Sequence, residues 1–223
     1  MSDFAKLRET MVHGQIRVAD VTDRRLLAAL GSIPRERFVP SRNRALAYID
    51  EDISVKDAEG GKPARFLMEP APFARLVQAC EIGPEDVVLD VGCATGYSAA
   101  VLALLVSSVV ALECDVELAR HAAENLAILG ADNAAVVTGP LEAGYPDEGP
   151  YDVIILEGSV EFVPQALHAQ LKEGGRLAAV VGQGRSAVAT LFVKEGGVVG
   201  ERVIFDAHVR PLPGFERPRS FVF

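Results

Sequence analysis

The sequence of 223 residues predicts an α/β fold with a doubly wound, mainly parallel seven-stranded sheet. Three observations support this fold class. From residue 70 onward, short β-prone runs alternate with stretches of helical character. An acidic residue or a glycine stands at the end of four of these runs. Two apolar runs then flank Lys194-Glu195-Gly196-Gly197, which is the pattern of a C-terminal antiparallel hairpin.

An N-terminal helical lead-in is expected before the regular pattern begins. Asp20 or Thr22 is positioned to cap its main helix, and Gly31 is positioned to end it. Residues 50–70 indicate a long loop, because they combine adjacent glycines, a proline and scattered charges.

The regular part of the chain opens with a helix from Pro70 or Pro72 to Cys80. Asp115 is expected to cap a later helix, which Gly130 stops. The predicted strands are residues 87–91, 109–112, 134–138, 152–156, 176–181, 188–193 and 199–205. The predicted helices between them are residues 97–106, 115–129 (including the cap) and 164–171.

The most informative motif is the turn after the first of these strands, Asp90-Val91-Gly92-Cys93-Ala94-Thr95-Gly96-Tyr97. The strand ends in an acid, turns on glycines and opens a helix, so backbone N–H groups face a ligand. Glu113 follows the next strand, where a carboxylate can accept both hydroxyls of a ribose. Asp90 would repel the pyrophosphate of a dinucleotide, but it would attract the ammonium and sulfonium of S-adenosylmethionine. The glycine spacing also differs from the dinucleotide fingerprint. These residues therefore predict an S-adenosylmethionine site and disfavour a nicotinamide site.

Four residues stand at the ends of predicted parallel strands: Asp90, Glu113, Gly139 and Glu157. Ligands of open α/β sheets bind beyond the carboxyl ends of the strands. We therefore expect these four positions to meet at one site.

Composition and charge restrict the function classes. A formal net charge of −9 argues against broad nucleic-acid binding, so no nucleic-acid partner is expected. Cys80, Cys93 and Cys114 match neither a zinc spacing nor a disulfide framework, so no metal is expected and a reducing cytoplasm is indicated. The first residues lack the apolar core of a signal peptide, and the longest apolar stretch, residues 99–112, is too short to span a membrane. The expected location is cytoplasmic, with no membrane contact.

Six segments carry a resemblance to a known family. They are MVHGQI (residues 11–16), IPRERFVP (33–40), AYID (47–50), DVGCATGYSAA (90–100), PYDVII (150–155) and QLKEGGRL (170–177). In this order the chain resembles the protein-L-isoaspartate O-methyltransferases, which are class I S-adenosylmethionine-dependent methyltransferases. The Pro-Arg-Glu-Arg-Phe-Val-Pro segment is specific to this family among methyltransferases.

The resemblance implies a Rossmann-like methyltransferase with S-adenosylmethionine as its cofactor. The implied activity is methylation of isoaspartyl carboxylates in damaged proteins, so the implied partner is a protein or peptide substrate. Residues 1–69 would then form the helical lead-in and substrate loop, and residues 70–223 the cofactor-binding domain, together one structural unit. The implied cofactor-binding residues are Asp90, Gly92, Cys93, Ala94, Gly96, Tyr97, Glu113, Gly139 and Glu142.

Several positions depart from the family pattern. Ala94 replaces a middle glycine, so its methyl group is tolerated, crowds the cofactor or strains a positive φ. Gly139-Pro140-Leu141 replaces Gly-Asp-Gly, so Glu142 or a backbone group is expected to substitute for the acid near the adenine. Phe66-Leu67-Met68-Glu69-Pro70 replaces Thr-Ile-Ser-Gln-Pro, which removes two hydroxyls near the substrate carboxylate. Glu157-Gly158-Ser159 replaces Thr-Ala-Ala and adds an acid.

Met68, Glu69 and Glu157 are therefore the candidate catalytic residues, with packing as the competing role for Met68. Three functions stay open at this point. An ionised isoaspartyl carboxylate needs no general base, so the family's own activity is compatible with the missing hydroxyls. An amine or hydroxyl acceptor would use Glu69 or Glu157 as a base. A non-catalytic derivative that binds the cofactor or a partner is the third.

Overall fold

The structure is a computed structural model that describes residues 3–217, and this part of the chain contains six α-helices and nine β-strands. The helices are Phe4–Met11 (α1), Arg24–Ser32 (α2), Pro70–Ala79 (α3), Tyr97–Ala103 (α4), Val116–Leu129 (α5) and Gln165–Ala169 (α6). The strands are Ile53–Lys56 (β1), Arg65–Leu67 (β2), Val87–Val91 (β3), Ser108–Glu113 (β4), Ala134–Thr138 (β5), Tyr151–Val160 (β6), Leu171–Val181 (β7), Val188–Glu195 (β8) and Val198–Asp206 (β9).

Seven strands form one sheet in the order β5-β4-β3-β6-β7-β8-β9. Strands β3 to β7 run parallel, whereas β8 and β9 are antiparallel and form the C-terminal hairpin. The predicted fold class is confirmed. The strand order reverses beside β3, which is where open α/β sheets bind their ligands.

Both faces of the central strands are buried, as expected for a parallel sheet covered by helices. Val88, with Val109 and Val153 of the neighbouring strands, belongs to the apolar cluster on one face. Leu89 and Ile154 belong to the cluster on the other face. The near-continuous apolar sequence of β3 therefore follows from its position in the middle of the sheet.

The caps of α5 are those that the sequence predicts. The Asp115 carboxylate accepts hydrogen bonds from the N–H groups of Glu117 and Leu118, and Gly130 ends the helix in the left-handed conformation, with φ at 67°.

The helices α4 and α6 are shorter than predicted. Residue 171 begins β7 instead of ending α6.

The lead-in differs from the prediction at α2. Asp23, not Asp20 or Thr22, caps this helix, and its carboxylate accepts hydrogen bonds from the N–H groups of Arg25 and Leu26. The two residues predicted as caps are instead bound by the side chain of Gln78. This side chain accepts a hydrogen bond from the N–H of Thr22 and donates one to the carbonyl of Asp20. The helix also continues through Gly31 to residue 32.

The prediction of a long loop over residues 50–70 is wrong. Strands β1 and β2 pair antiparallel there, with Ile53 opposite Leu67. Alternate residues of both strands are buried. With only four and three residues, these strands are too short for their alternation to stand out from the surrounding charges and glycines.

The chain returns to the carboxyl edge of the sheet after β9. We call residues 208–215 the strap. The N–H of Ser159 donates to the carbonyl of Arg210 at 3.0 Å, and the N–H of Leu212 donates to the carbonyl of Ser159 at 2.9 Å. Val209, Leu212 and Phe215 are buried. The strap is thus packed against the end of β6. The apolar residues Phe221-Val222-Phe223, which the sequence suggests could dock a tail, lie outside the described residues.

The helices of the described range are short. Over residues 3–217, none has both the length and the apolar character that crossing a membrane requires. Within the same residues, no three His, Cys, Asp or Glu side chains are grouped as ligands of a metal ion.

Candidate cofactor and active site

The turn between β3 and α4 lies at the carboxyl edge of the sheet and is held mainly by the backbone. The N–H groups of Gly92 and Cys93 both donate to the carbonyl of Leu112 in β4, at 2.8 and 3.2 Å. The backbone is left-handed at Gly92, Ala94 and Gly96, with φ of 85°, 50° and 91°. Ala94 is thus a non-glycine residue with a left-handed backbone. Steric strain from a positive φ is one of the outcomes that the sequence left open for this position.

Gly96 also meets a close approach by α5. A Cβ built on Gly96 would lie 3.1 Å from the Cβ of Ala122 and 3.2 Å from its Cα. The lack of a side chain therefore allows α5 to pack directly against the turn.

Glu113, the last residue of β4, is fully buried, and its carboxylate is surrounded by donors. Oε1 accepts hydrogen bonds from the N–H groups of Cys114 and Asp115, at 2.9 and 3.0 Å, and Oε2 accepts one from Ala94 at 2.8 Å. The guanidinium of Arg65 in β2 binds both oxygens, with Nη2 at 2.9 Å from Oε2 and Nη1 in contact with Oε1. The carboxylate that the sequence assigns to a ribose is therefore paired with an arginine of the same chain.

Leu212 of the strap fills the space beside the turn. A Cβ built on Gly92 would lie 2.7 Å from Leu212 Cδ2 and 3.4 Å from Arg65 Nη2. Residues 88–102 are all buried. The Gly92 carbonyl accepts a hydrogen bond from Arg65 at 3.3 Å. The glycine that leaves the turn open to a ligand is thus covered by two side chains of the chain itself.

Two buried carboxyl groups near the turn are incompletely paired. Asp90 Oδ2 accepts a hydrogen bond from the Ser98 hydroxyl at 2.6 Å, while Asp90 Oδ1 and Glu157 Oε1 find no partner among residues 3–217. Burial raises the pKa of Asp90, and the negative charge of Glu113 adds to this effect. Burial also raises the pKa of Glu157, where the charge of Asp90 adds and that of Arg35 opposes. A cationic group beside these carboxyls would stabilise their ionised forms.

Arg35 organises the other side of the site. Its side chain is fully buried, with Nε donating to the carbonyl of Ala47 at 2.8 Å and Nη2 donating to the carbonyl of Met68 at 2.6 Å. Its guanidinium lies over the ring of Tyr97, 4.7 Å from the centroid. Arg35 Nη1 and the Tyr97 hydroxyl have no hydrogen-bond partner among residues 3–217. Two buried donors thus lie next to the loop that carries Met68.

Glu69 is partly buried immediately before α3, and its N–H donates to Asp52 Oδ1 at 2.9 Å. Burial raises the pKa of Glu69 to about 7, and the negative charges of Asp52, Asp50 and Glu51 contribute to the shift. A carboxyl group with this pKa can exchange a proton near neutral pH.

The residue types at this site fit S-adenosylmethionine, but the space beside them does not fit it in the described arrangement. Asp90 and Glu157 provide carboxyl groups for its cationic centre, and Glu113 is a ribose acceptor by type. However, Arg65 occupies both oxygens of Glu113, and Leu212 fills the volume next to Gly92. Accommodation of the cofactor requires both side chains to move.

Comparison with known proteins identifies the family. Residues 6–212 match the family model described as protein-L-isoaspartate(D-aspartate) O-methyltransferase. The chain belongs to this family. The resemblance of the six sequence segments is confirmed by this match.

Relatives within the family cover nearly the whole chain. A protein-L-isoaspartate O-methyltransferase from Koribacter versatilis (strain Ellin345) is 35% identical over 214 residues, which are 96% of this chain and 94% of the relative. Another, from Methanoculleus marisnigri (strain ATCC 35101 / DSM 1498 / JR1), is 38% identical over 192 residues, or 86% of this chain and 84% of the relative. The family relationship therefore extends over the lead-in, the sheet and most of the strap.

Solved structures of this kind share the fold. A structure named protein-L-isoaspartate O-methyltransferase superposes with a TM-score of 0.81 at 27% identity, covering 93% of this chain and 66% of that one. A Plasmodium falciparum structure, named as a putative member, superposes with a TM-score of 0.74 at 19% identity and covers 94% of this chain and 98% of that one. The second structure is a complex with S-adenosyl-L-homocysteine, and its likeness to this chain shows the fold alone.

Most of the residues assigned from the family pattern lie around the turn. Gly139 follows β5 and donates its N–H to the carbonyl of Glu113 at 3.2 Å. Glu142 contacts the strap at Gly214, where there is no room for a side chain. Cys93 is buried, and burial raises its pKa well above the ordinary value, which suits a packing role. The cofactor roles of these residues stay predictions.

The candidate catalytic residues differ in their burial and in their place in the fold. The side chain of Met68 is buried in the core, while Glu69 is only partly buried. Glu157 lies within β6, at an irregularity in its pairing with β7, and not after the end of the strand. The catalytic roles of all three residues stay predictions.

Arg65 and Arg35 are site residues that the sequence did not predict. Arg35 lies within the Pro-Arg-Glu-Arg-Phe-Val-Pro segment, so its inclusion in a family-specific motif was an available signal. Arg65 stands directly before the segment that departs most from the family pattern. No local feature indicates that its partner is Glu113, 48 residues later.

Proposed function

We propose that this chain is an S-adenosylmethionine-dependent methyltransferase that methylates the carboxylate of isoaspartyl residues in damaged proteins. Family membership over residues 6–212 supports this function. The observation that carries it is the pair of buried carboxyl groups, Asp90 and Glu157, each with one oxygen that has no partner among residues 3–217. A cationic cofactor would supply the missing countercharge, because buried charges require a partner.

The acceptor carboxylate is proposed to bind at Arg35 and Tyr97. The segment at residues 66–69 lacks hydroxyl groups, so the donors of the family pattern are missing there. Arg35 Nη1 and the Tyr97 hydroxyl are buried and unpartnered within residues 3–217, and Arg35 binds the carbonyl of Met68 in that segment. A guanidinium and a phenol are suitable donors for a carboxylate.

The chemistry needs little from the protein beyond this arrangement. S-adenosylmethionine supplies the methyl group when it is bound. The isoaspartyl carboxylate is ionised at neutral pH and is a nucleophile without a general base. The contribution of Arg35 and Tyr97 would be to orient this carboxylate and to exclude water around it.

The test is transfer of labelled methyl groups from S-adenosylmethionine to two peptides of the same sequence, one with isoaspartate and one with aspartate. Selective labelling of the isoaspartyl peptide is expected. If the protein binds S-adenosylmethionine but labels neither peptide, the acceptor assignment is wrong. Labelling of amine- or hydroxyl-bearing peptides would instead favour Glu69 as a general base, because its pKa is raised to about 7.

A matched variant tests the acceptor site. Arg35→Lys keeps the positive charge but loses the planar guanidinium that binds two carbonyls. We expect KM for the isoaspartyl peptide to rise at least about tenfold, while the affinity for S-adenosyl-L-homocysteine stays within about twofold. If the affinities for the isoaspartyl peptide and for S-adenosyl-L-homocysteine fell equally, Arg35 would only support the fold.

A further inference from the structure

We propose that Arg65 and Leu212 form an intramolecular latch that closes the cofactor site until β2 and the strap move away. This inference rests on the proposed function, because it takes the turn after β3 and Glu113 to be the cofactor site. It adds a controlled step, the opening of the latch, before cofactor can enter.

The Arg65 part of the latch competes directly for the ribose acceptor. Its guanidinium binds both oxygens of Glu113, and the two side chains are 5% and 0% exposed. A two-pronged arginine–carboxylate pair is among the stronger hydrogen-bonded contacts in proteins. Main-chain N–H groups of Ala94, Cys114 and Asp115 occupy the remaining positions around the carboxylate. A ribose hydroxyl can reach these oxygens only when Arg65 leaves.

The Leu212 part blocks the approach to the turn. Leu212 Cδ2 lies 2.7 Å from the point where a Cβ of Gly92 would stand, which is closer than an ordinary carbon–carbon contact. Its backbone is held by Ser159, through the hydrogen bond from the N–H of Leu212 to the Ser159 carbonyl. Leu212 thus fills the space beside Gly92, while Arg65 occupies the carboxylate of Glu113 at the end of β4.

One carboxylate links the two parts. Asp52 Oδ1 accepts a hydrogen bond from the N–H of Glu69, just after β2, and Asp52 Oδ2 accepts one from the N–H of Arg210 in the strap at 2.7 Å. The Arg210 guanidinium lies over the ring of Phe66, 5.1 Å from its centroid. Since Phe66 is the neighbour of Arg65 in β2, displacement of the strap also disturbs Arg65. The two parts are therefore expected to open together.

A closed majority state lowers the apparent affinity for a ligand in proportion to the open fraction. We therefore expect weak binding by the wild-type chain and stronger binding by variants that cannot close. Removal of Arg65 leaves Glu113 with three main-chain donors, so its carboxylate remains solvated by the protein. Substitution of Arg65 is therefore expected to remove the latch while the Glu113 carboxylate stays in place to bind the ribose.

Isothermal titration calorimetry with S-adenosyl-L-homocysteine is the first test, on the wild type, Arg65→Gln, Leu212→Ala and the control Arg120→Gln. Arg120 forms an exposed ion pair with Glu124 on α5, so the control removes an arginine charge away from the latch. Both latch variants are expected to bind at least about tenfold more tightly than the wild type. The control is expected to match the wild type. Thermal melts by circular dichroism establish that each variant is folded.

The outcomes separate the two proposals. If the wild type binds and the folded Arg65→Gln and Leu212→Ala variants bind equally or more weakly, the latch is wrong and the proposed function stands. If neither the wild type nor any folded latch variant binds, the proposed function fails, and the latch fails with it.

Hydrogen exchange in the wild type provides a second readout that needs no substitution. Saturating S-adenosyl-L-homocysteine is expected to speed amide exchange in the strap, where the N–H of Leu212 is protected by Ser159. A ligand that simply binds to a preformed site would slow exchange there instead. Slower exchange across residues 208–215 would overturn the latch.

Discussion

The turn after β3 and the cover above it are built by contacts of different range. In the turn, Gly92 and Cys93 bind the carbonyl at the end of the neighbouring strand, and Glu113 binds N–H groups one and two residues away. The cover, which consists of β1, β2 and the strap, depends on side chains that are distant in sequence. Asp52, for example, binds the N–H of Arg210, 158 residues later.

Because their contacts differ in range, the turn and the cover are expected to respond differently to substitution. The backbone of the turn is fixed by its hydrogen bonds to β4, so we expect a substitution in the turn to lower the stability of the sheet itself. The cover is held by side-chain hydrogen bonds and by buried apolar residues such as Leu212 and Phe215. These contacts lie outside the seven-stranded sheet, so the cover is the part of the site that is able to open. The ion pair of Arg65 and Glu113 joins the two regions. Substitutions of these two residues therefore measure how much each region contributes to stability.

The largest effect is expected from Glu113→Gln. This substitution leaves Arg65 buried without a counter-charge, so we expect the free energy of unfolding to fall by about 3–5 kcal/mol. Urea denaturation measures the loss. Arg65→Gln is expected to cost less, because main-chain N–H groups still surround Glu113. The double variant is expected to recover part of the loss of Glu113→Gln, and strict additivity would show that the pair is not coupled.

Gly92→Ala tests the contact between the turn and the strap. The new Cβ would have both a positive φ of 85° and a 2.7 Å approach to Leu212, whereas Gly174 has a φ of 76° in open space. We therefore expect Gly174→Ala to cost about 1–2 kcal/mol, and Gly92→Ala to cost at least about 1 kcal/mol more. Denaturation midpoints compare the two. Equal costs would mean that Leu212 moves away without penalty, and Leu212→Ala in the Gly92→Ala background should remove the excess.

A third and smaller effect, of opposite sign, is expected from Ala94→Gly. Ala94 has a φ of 50°, so glycine relieves steric strain while it adds freedom to the unfolded chain. The net expectation is a stabilisation of up to about 1 kcal/mol in thermal or urea unfolding. Ala123→Gly on the exposed face of α5 is the control, with an expected loss of about 1 kcal/mol. Destabilisation by Ala94→Gly would show that the alanine methyl group packs better than the strain costs.

The range of the contacts in sequence also decided which features were predictable. The cap of α5 at Asp115 and its end at Gly130 depend on residues adjacent to the helix, and both were predicted. The seven strands of the sheet were predicted from short β-prone apolar runs between turn signals. Strands β3 and β4 bury these runs, whereas β5 and β9 contain no fully buried residue. At α2 a long-range contact changed the result: Gln78 binds the residues before the helix, and the cap falls at Asp23.

The contacts of the cover were not predictable because they too join residues that are distant in the sequence. The chain has 22 lysines and arginines, and nothing next to Arg65 in the sequence indicates that it reaches Glu113. The acid at Glu113 was recognised because a strand end beside a glycine turn is a local pattern with a known use. Its partner depends on how β2 packs over the finished sheet, which is determined only in the folded chain.

The smallest expected effect concerns the pH dependence of the cover. Glu69 has a pKa of about 7 in the folded protein, against about 4.3 in an unfolded chain. The folded state therefore holds this proton more tightly, so stability decreases as the pH rises between these values. Glu69→Gln removes the ionised form. We expect this variant to be about as stable as the wild type at pH 4 and more stable at pH 8. The gain in the free energy of unfolding at pH 8 is expected to be less than about 1 kcal/mol, because the group is partly solvated.

Thermal melts of both proteins at the two pH values measure this difference, with pH 4 as the internal control. An equal shift at both values would mean that the substitution acts through packing and not through charge. A lower melting temperature of the variant at pH 8 would mean that the carboxylate is stabilised there. Because Glu69 is joined to the strap through Asp52, this second outcome would place a favourable charge inside the cover and make its opening harder, not easier, at high pH.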